Sequence, residues 1–448
     1  MNKVLLRLKE RVSGGPRILL TDTNRWPVVT RLAIAFWKRG CDVAVLCPVP
    51  GHPVEKASGV AQIFRYSGFR PLASLKTAIS EFDPDVIVPA CDRGVQHLHQ
   101  LHAISQEQGS VGRKVIALIE RSLGSPESFV TVSSRWALLE TARVEGILVP
   151  KTSAVESLAD LKLWEDKLES PVVIKADGTW GGRGVRIAHN LREAEHSFLE
   201  LTQPASVAEL IKRILLNRDR DWQVRDWKRS RPAVIVQSLI NGRPANCAVV
   251  CSQGKILAGI AVEVVRAQGS TAPATLVEVV EGSEMMFAAE RIAHRLGLSG
   301  FFGLDFVIEN GSGATYLIEM NPRCTPPCPL PLGKGHDLVA AMWADLVGQP
   351  LPETQSVTTK SRIAYFPQAW MSAQGCHDAL LDTSYHDVPN DEPALIHELL
   401  HPWRERSVAG QFVDFIRRKR GFRKLPAVFV RDGASPAVNP VAEEDDFV

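Results

Sequence analysis

The chain has 448 residues, of which 45% are hydrophobic and 23% charged, an ordinary globular composition with room for about three domains. Its net charge of +2 gives no reason to expect nucleic-acid or membrane partners, and no apolar run approaches the roughly 20 residues of a membrane span. The opening stretch "MNKVLLRLKERVSGG" lacks the apolar core and cleavage site of a signal peptide, and the eight cysteines are scattered, several inside apolar runs, so reduced thiols in a cytoplasmic protein are expected.

Residues 17–118 alternate strand and helix. "RILLT", "DVAVLC", "VAQIFRY", "DVIVPA" and "KVIALI" read as buried strands, separated by helical "PVVTRLAIAFWKRG", "LASLKTAISEF" and "GVQHLHQLHAISQEQG". Such alternation predicts a parallel sheet with helices on both faces, whose sites lie beyond the carboxyl ends of the strands. Those ends carry Asp22-Thr23-Asn24-Arg25-Trp26 and Asp92-Arg93, although Asp92 taken alone reads as a helix cap. Residues 122–202 form a smaller unit: a helix near 134–145, "GILVPKT", a helix near 155–168, a glycine-rich hairpin and a helix from Asn190. Residues 203–231 are basic and irregular. From 233 to 320 the pattern is strand-rich, interrupted by a helix at 283–296. A Pro/Gly loop, "CTPPCPLPLGKG", leads to a helix capped by Asp337. Residues 355–425 read as an extra strand and helices, and the acidic end as a disordered tail. The expected divisions are 1–121, 122–202, 203–350, 351–432 and 433–448.

Two stretches carry chemistry. In "PVVIKADGTWGGRGVRIA", Lys175 ends an apolar strand and Gly178, Gly181, Gly182 and Gly184 fill the loop behind it. Neither GxxxxGK[ST] nor GxGxxG is present. Walker A and Rossmann loops feed a helix whose N-terminus holds the anion, whereas this loop joins strand to strand. A phosphate here would be gripped by a flap. The plainer reading of Lys175, a snorkelling surface residue, fits less well beside such a loop.

In "FGLDFVIENGSGATYLIEMNPR", Gly311-Ser312-Gly313 reads as a three-residue hairpin loop, so residues whose numbers sum to 624 face one another. Asp305 then faces Glu319 on one side of the sheet, with Asn321 and Arg323 following at steps of two, while Leu304, Phe306, Ile318 and Met320 take the other side. Facing carboxylates repel, and a divalent cation relieves that repulsion. An edge hairpin with two solvated acids is the bland alternative. A loop one residue longer would turn one acid to the opposite face.

The lysine-led flap, followed by a paired-carboxylate hairpin ending in Asn-Pro-Arg, resembles the ATP-grasp family over about residues 15–345. The resemblance implies an α/β fold: an N-terminal Rossmann-like domain, a small lid domain and a mixed catalytic sheet, followed here by a C-terminal extension. It implies that Lys175 reaches the ATP phosphates under a flap of 178–184, joined by Arg135 from "SSRWALLE". Val236, Gln237 and Leu239 of "VIVQSLI" fall on the adenine edge. Ser238 and Ala245-Asn246 stand where relatives carry acids, so the ribose contacts differ. Asp305, Glu319 and Asn321 fall on the positions that bind Mg²⁺, with Mn²⁺ as a substitute. Arg323 falls on the arginine that stabilises the anionic reaction centre. Arg266 and Arg243 are weaker candidates for a substrate carboxylate.

The implied chemistry phosphorylates a small carboxylate with MgATP to an acyl phosphate and ADP, which an amine such as an amino acid then attacks. The alternatives are a carboxylase-type enzyme acting on bicarbonate and an ATP-binding sensor without turnover. Cys324 and Cys328 lack a second CxxC and read as packing residues. His97, His99 and His102 mix helix faces, which disfavours zinc. Basic segments near 212–231 and 404–424 carry interspersed acids and few aromatics, so nucleic acid is not an expected partner. Related enzymes are often homodimers.

Overall fold

The computed structural model describes residues 14–165, 171–177, 184–203, 233–267, 273–373 and 379–402. The basic segment near 212–231, most of the flap and everything after 402, including the expected tail, lie outside the described residues. Among the described residues no helix is long and apolar enough to cross a membrane. The expected α/β architecture is present as three sheets.

The N-terminal sheet contains β1 (Arg17–Thr21), β2 (Asp42–Cys47), β3 (Gln62–Arg65) and β4 (Val86–Pro89), all parallel, in the order β3-β2-β1-β4. β1, β2 and β4 are short, nearly continuous apolar runs buried on both faces, as parallel strands require, while β3 is a half-buried edge strand. The expected fifth strand is a correction. "KVIALI" lies inside the helix Gly109–Leu123, where Val115, Leu118, Ile119 and Leu123 form a stripe at helical spacing against the sheet's core. A short apolar run satisfies either period, and the stripe continuing to Leu123 decides for helix.

The small sheet joins β5 (Thr152–Val155), β6 (Val172–Ala176), β7 (Val185–Ala188) and β8 (Val234–Ser238) antiparallel in the order β5-β8-β6-β7. By its pairing, β8 groups with the lid segment rather than with the strands that follow it. Val172, Ile174, Ala176, Val234 and Val236 pack under Phe198 of the helix Leu191–Thr202. Asn190 caps that helix, its side chain accepting from Glu193 N at 2.9 Å.

The large sheet has seven strands: β9 (Gly242–Ser252), β10 (Lys255–Ala267), β11 (Ala274–Val280), β12 (Gly300–Glu309), β13 (Thr315–Asn321), β14 (Arg362–Ala364) and β15 (Tyr385–His386). Their order is β13-β12-β9-β10-β11-β14-β15, antiparallel except for β14 and β15. One face packs on the helices Arg135–Val144 and Ser283–Leu296 through Leu138, Leu139, Ala289 and Ile292. The other packs on the helix Leu338–Val347, capped by Asp337 as expected (Ala340 N to Oδ1, 2.8 Å).

That second face shares one core with the N-terminal sheet: Ile18, Val43 and Phe36 belong to the same apolar cluster as Ile260, Val262 and Leu338. Residues after 351 complete this junction. β14 and β15 extend the large sheet, while Arg31 binds Asp387, Lys38 meets Asp391 at 2.6 Å, and Glu392 accepts from Ser58 N and Oγ at 3.0 Å. The expected C-terminal extension is therefore, where described, the sheet's edge strapped onto the N-terminal domain.

Candidate active site

A cavity of about 480 Å³ opens where the three sheets meet. Trp26 and Asp92 come from the ends of β1 and β4, Lys175 and Asp177 from the end of β6, and Arg135 from the start of its helix. Asp305, Glu319, Asn321 and Arg323 come from the β12–β13 hairpin. The strand-end rule thus places the N-terminal domain's contribution, and the two motifs supply the rest.

The hairpin register has an unexpected origin. Asp305 faces Glu319, as the sum of 624 predicts, and so do Leu304 and Met320. Nearer the tip, however, Phe306 pairs with Leu317 and Ile308 with Thr315, so the connection is one residue longer than expected. Glu309 N bonds Ala314 O at 2.9 Å, and the loop is Asn310–Gly313 with Gly311 and Gly313 at positive φ. A β-bulge at Ile318 absorbs the extra residue and restores the register at the acids. Leu317 consequently joins the core in place of Ile318, which lines the cavity instead. The carbonyl freed at the bulge accepts a hydrogen bond from Lys175 Nζ at 3.2 Å.

Five charged groups crowd this end of the cavity. Arg135 donates to Glu319 Oε1 at 2.7 Å and to the Ala176 carbonyl at 2.6 Å, with Asp177 Oδ1 at 3.5 Å. Burial is the largest influence and works against the Arg135 charge, yet Glu319, Asp177 and Asp92 together outweigh it and hold the guanidinium more firmly protonated. Burial pulls Lys175 down to about 8, with Arg135 acting in the same direction and the two acids opposing. Burial also pushes Asp305 above the ordinary carboxylate range, reinforced by the charge of Glu319. The amides of Asn246 and Asn321 moderate that shift, Asn321 donating to Asp305 Oδ2 at 2.9 Å. Asp177 is raised by burial too, against Arg135.

At the other end, Arg323 Nε donates to Asp92 Oδ2 at 3.0 Å, Nη2 to Asn321 Oδ1 at 3.0 Å and Nη1 to the Cys324 carbonyl at 3.2 Å. Its guanidinium lies over the Trp26 ring, 5.0 Å from the centroid. Asp92 opens the helix Asp92–Ser105 without capping it; Cys91 holds the cap position. Buried Asp22 shapes the loop before Trp26 instead, accepting from Asn24 N at 2.9 Å, Trp26 N at 3.0 Å and His52 at 3.2 Å.

Other expected residues fall elsewhere. Gly178, Gly181 and Gly182 lie outside the described residues, while Gly184 closes the base of the flap by accepting from Ala176 N at 2.9 Å. Val236, Gln237 and Leu239 do not line the cavity. Val236 is in the lid core, buried Gln237 donates to Thr152 Oγ1 at 3.1 Å, and Leu239 N bonds the Pro171 carbonyl. Strand alternation sends alternate side chains inward, which motif position alone does not reveal. Arg266 sits at a register shift between β10 and β11 and does not line the cavity, and exposed Arg243 pairs with Glu263 at 2.9 Å.

Cys324 and Cys328 are buried thiols, as packing residues should be. His97 stacks on Tyr66, His99 on Phe129, and His102 meets Glu120. Sequence reasoning passed over Asp177, whose spacing of two from Lys175 was a usable signal. It also noted Asn246 only for the acid it replaces.

The donor set suits a hard divalent cation. Asp305, Glu319 and Asn321 offer oxygens, and two acids plus one amide is the count expected when phosphates complete the coordination. Lys175 and Arg135, beside these acids, are point and fork cations suited to those phosphates.

Known proteins bear on this arrangement. Residues 137–354 match the family described as carbamoyl-phosphate synthase L chain, ATP binding domain. The arginine-specific carbamoyl phosphate synthase large chain of Geobacillus stearothermophilus is 26% identical over 354 residues, covering 76% of this chain and 31% of that protein. The Campylobacter jejuni large chain is 27% identical over 207 residues, covering 44% of this chain and 17% of its own length. The chain thus spans less than a third of these two relatives. Among solved structures, N5-carboxyaminoimidazole synthetase from Staphylococcus aureus complexed with ADP matches with a TM-score of 0.53 at 15% identity, covering 78% of this chain and 82% of that one. The biotin carboxylase domain of the Hydrogenobacter thermophilus 2-oxoglutarate carboxylase, in complex with MgADP, ADP and bicarbonate, matches with a TM-score of 0.53 at 14% identity, covering 76% and 71%. At these identities the structural likeness is one of fold.

Proposed function

Because this chain belongs to the ATP-grasp superfamily, we propose that it phosphorylates a small carboxylate with MgATP, releasing ADP, and couples the acyl group to an amine. One observation carries the reading: Asp305, Glu319 and Asn321 line one cavity together with Lys175 and Arg135, Arg135 reaching Glu319 at 2.7 Å. Lys175 and Arg135 hold the nucleotide phosphates. Asp305, Glu319 and Asn321 hold Mg²⁺, or Mn²⁺ in its place, which when bound neutralises phosphate charge. A carboxylate oxygen attacks the γ-phosphorus while its bond to ADP breaks. The amine nitrogen then attacks the acyl carbon and phosphate leaves. Arg323 faces the carbonyl oxygen, where negative charge develops. Arg266 has no part in this assignment.

A second reading has bicarbonate as the carboxylate. The matches to carbamoyl phosphate synthases, and to a carboxylase structure whose bound ligands include bicarbonate, favour it over a non-catalytic sensor.

Nucleotide product analysis tests both. With MgATP and pooled amino acids, small carboxylates or bicarbonate, ADP and phosphate should form only with a productive pool. Substrate-dependent AMP rules out an acyl phosphate. Glu319→Gln should lower ADP release about a thousandfold and weaken the Mg²⁺ dependence of nucleotide-induced thermal stabilisation. Unchanged turnover in that variant removes Glu319 from the cation site.

A further inference from the structure

Four acids line the cavity, and their partners separate them: Asp92, Asp177, Asp305 and Glu319. Asp177 and Glu319 share Arg135, and Asp305 is tied by two amides. Asp92 is bound instead to Arg323, the residue assigned above to the reacting carbonyl, and only through Oδ2. Its Oδ1 makes no hydrogen bond with the described residues, and the side chain is 27% exposed, towards the cavity. Arg323 is similarly part-spent: of its five N–H donors, Nε, Nη1 and Nη2 use one each, leaving two.

A carboxylate with an open oxygen therefore stands one hydrogen bond, 3.0 Å, from a guanidinium with open donors. An acyl oxygen held by the guanidinium and a nitrogen held by the carboxylate would thus be gathered at one ion pair.

We propose that Asp92 is the acceptor-amine site: it binds a primary amine as the ammonium and takes its proton for attack on the acyl phosphate. This rests on the acyl-transfer reading above. The ammonium N–H transfers its proton to Asp92 Oδ1, freeing the lone pair. The nitrogen bonds the acyl carbon, whose carbonyl oxygen is held by Arg323. The bond from that carbon to the phosphate oxygen then breaks, and the leaving phosphate takes the nitrogen's surplus proton. Asp92 returns its own proton to solvent. The pairing with Arg323 keeps the unoccupied carboxylate compensated, so the site does not present a lone buried charge.

The alternative is that Asp92 merely props up Arg323. Asp92→Asn separates the two, because the amide oxygen still accepts from Arg323 Nε while the basic oxygen is gone. The full chain is given MgATP with pooled small carboxylates and the twenty amino acids as carboxylates and amines, with and without hydroxylamine. Hydroxylamine is largely unprotonated at neutral pH and needs no base, and it traps an acyl phosphate as a hydroxamate that iron(III) colours. In Asp92→Asn, hydroxamate formation should stay within about twofold of wild type while amide formation falls about a hundredfold or more. Equal loss of both products overturns the proposal and leaves a propping role. Undiminished amide formation overturns it as well. A wild-type protein that forms neither hydroxamate nor amide removes the acyl-transfer reading itself, and the proposal with it.

Discussion

The two ends of the cavity hold charge in different ways. At the small-sheet end two cations and three acids, Lys175, Arg135, Asp177, Asp305 and Glu319, press together in a largely buried corner where burial is the largest influence on Lys175 and Asp305. At the N-terminal end one acid meets one arginine, stacked on Trp26, and both partners keep unused hydrogen-bonding capacity. The small-sheet end is arranged to receive charge that rebalances it, a cation against its acids and phosphates against its cations. The far end is arranged to discriminate, since an ion pair with open valences is sensitive to the geometry of what enters it. Burial weighs on Arg323 as well, against the charge and hydrogen bond of Asp92, so the two ends differ in how much charge they gather rather than in whether it is buried.

The sharpest way to break this contrast is to remove the desolvated lysine. Lys175→Met should lower ADP release about a hundredfold to a thousandfold, because a preorganised charge on the transferring phosphoryl group is lost. Its pH signature is specific. The folded-state value of about 8, against 10.5 for a free lysine, means that between these limits the unfolded chain binds a proton that the folded chain lacks. Stability of the nucleotide-free protein should therefore rise with pH from about 8 to 10.5 and lose that component in the variant. Nucleotide phosphates favour the ammonium form, so binding at pH 9 should take up a proton and binding at pH 6.5 should not. Calorimetry in two buffers of different ionisation heat measures this, and equal uptake at both pH values contradicts it.

A smaller effect sharpens the same end. Asn246→Asp replaces a donor to Asp305 with a like charge, and should destabilise the nucleotide-free protein by about 1–3 kcal/mol. Mg²⁺ should recover more thermal stability in this variant than in wild type, because it relieves the added repulsion. Identical Mg²⁺ responses in thermal melts would count against cation binding at Asp305. Smallest is the change at the other end. Trp26→Leu removes the ring under Arg323 and should weaken carboxylate-substrate binding by about 0.5–1 kcal/mol, read as a rise in KM with kcat little changed. A kcat loss exceeding the KM effect would show that the ring also aligns the reaction.

Much of this was legible before any coordinates. The strand-to-strand character of the glycine loop, the facing of Asp305 with Glu319 and the cap at Asp337 followed from local spacing, whereas Arg135 came only from the family resemblance. Where local spacing was ambiguous, it misled. "KVIALI" suits either period until its continuation to Leu123 is counted. The hairpin loop was one residue too short in the sequence reading, and the bulge at Ile318 cancelled the error. Non-local pairings were not legible. Nothing near Val234–Ser238 announces that it sits between β5 and β6, and nothing near Asp92 announces an arginine 231 positions away. Nor does a motif position say which face of a strand looks into the cavity, and Val236, Gln237 and Leu239 do not line it.

The seven free cysteines among the described residues have a use unrelated to chemistry at the site. All are buried, and burial holds Cys41, Cys91 and Cys247 up at about 12 and Cys328 at about 11, so few thiolates exist for an alkylating reagent to meet. Cys91 immediately precedes Asp92 and Cys324 immediately follows Arg323, so two sulfurs bracket the ion pair from opposite domains. Their reaction with a thiol reagent must wait for the N-terminal and large sheets to part. The rate at which those two sulfurs disappear is thus a clock, already built into the chain, for how often the domains separate.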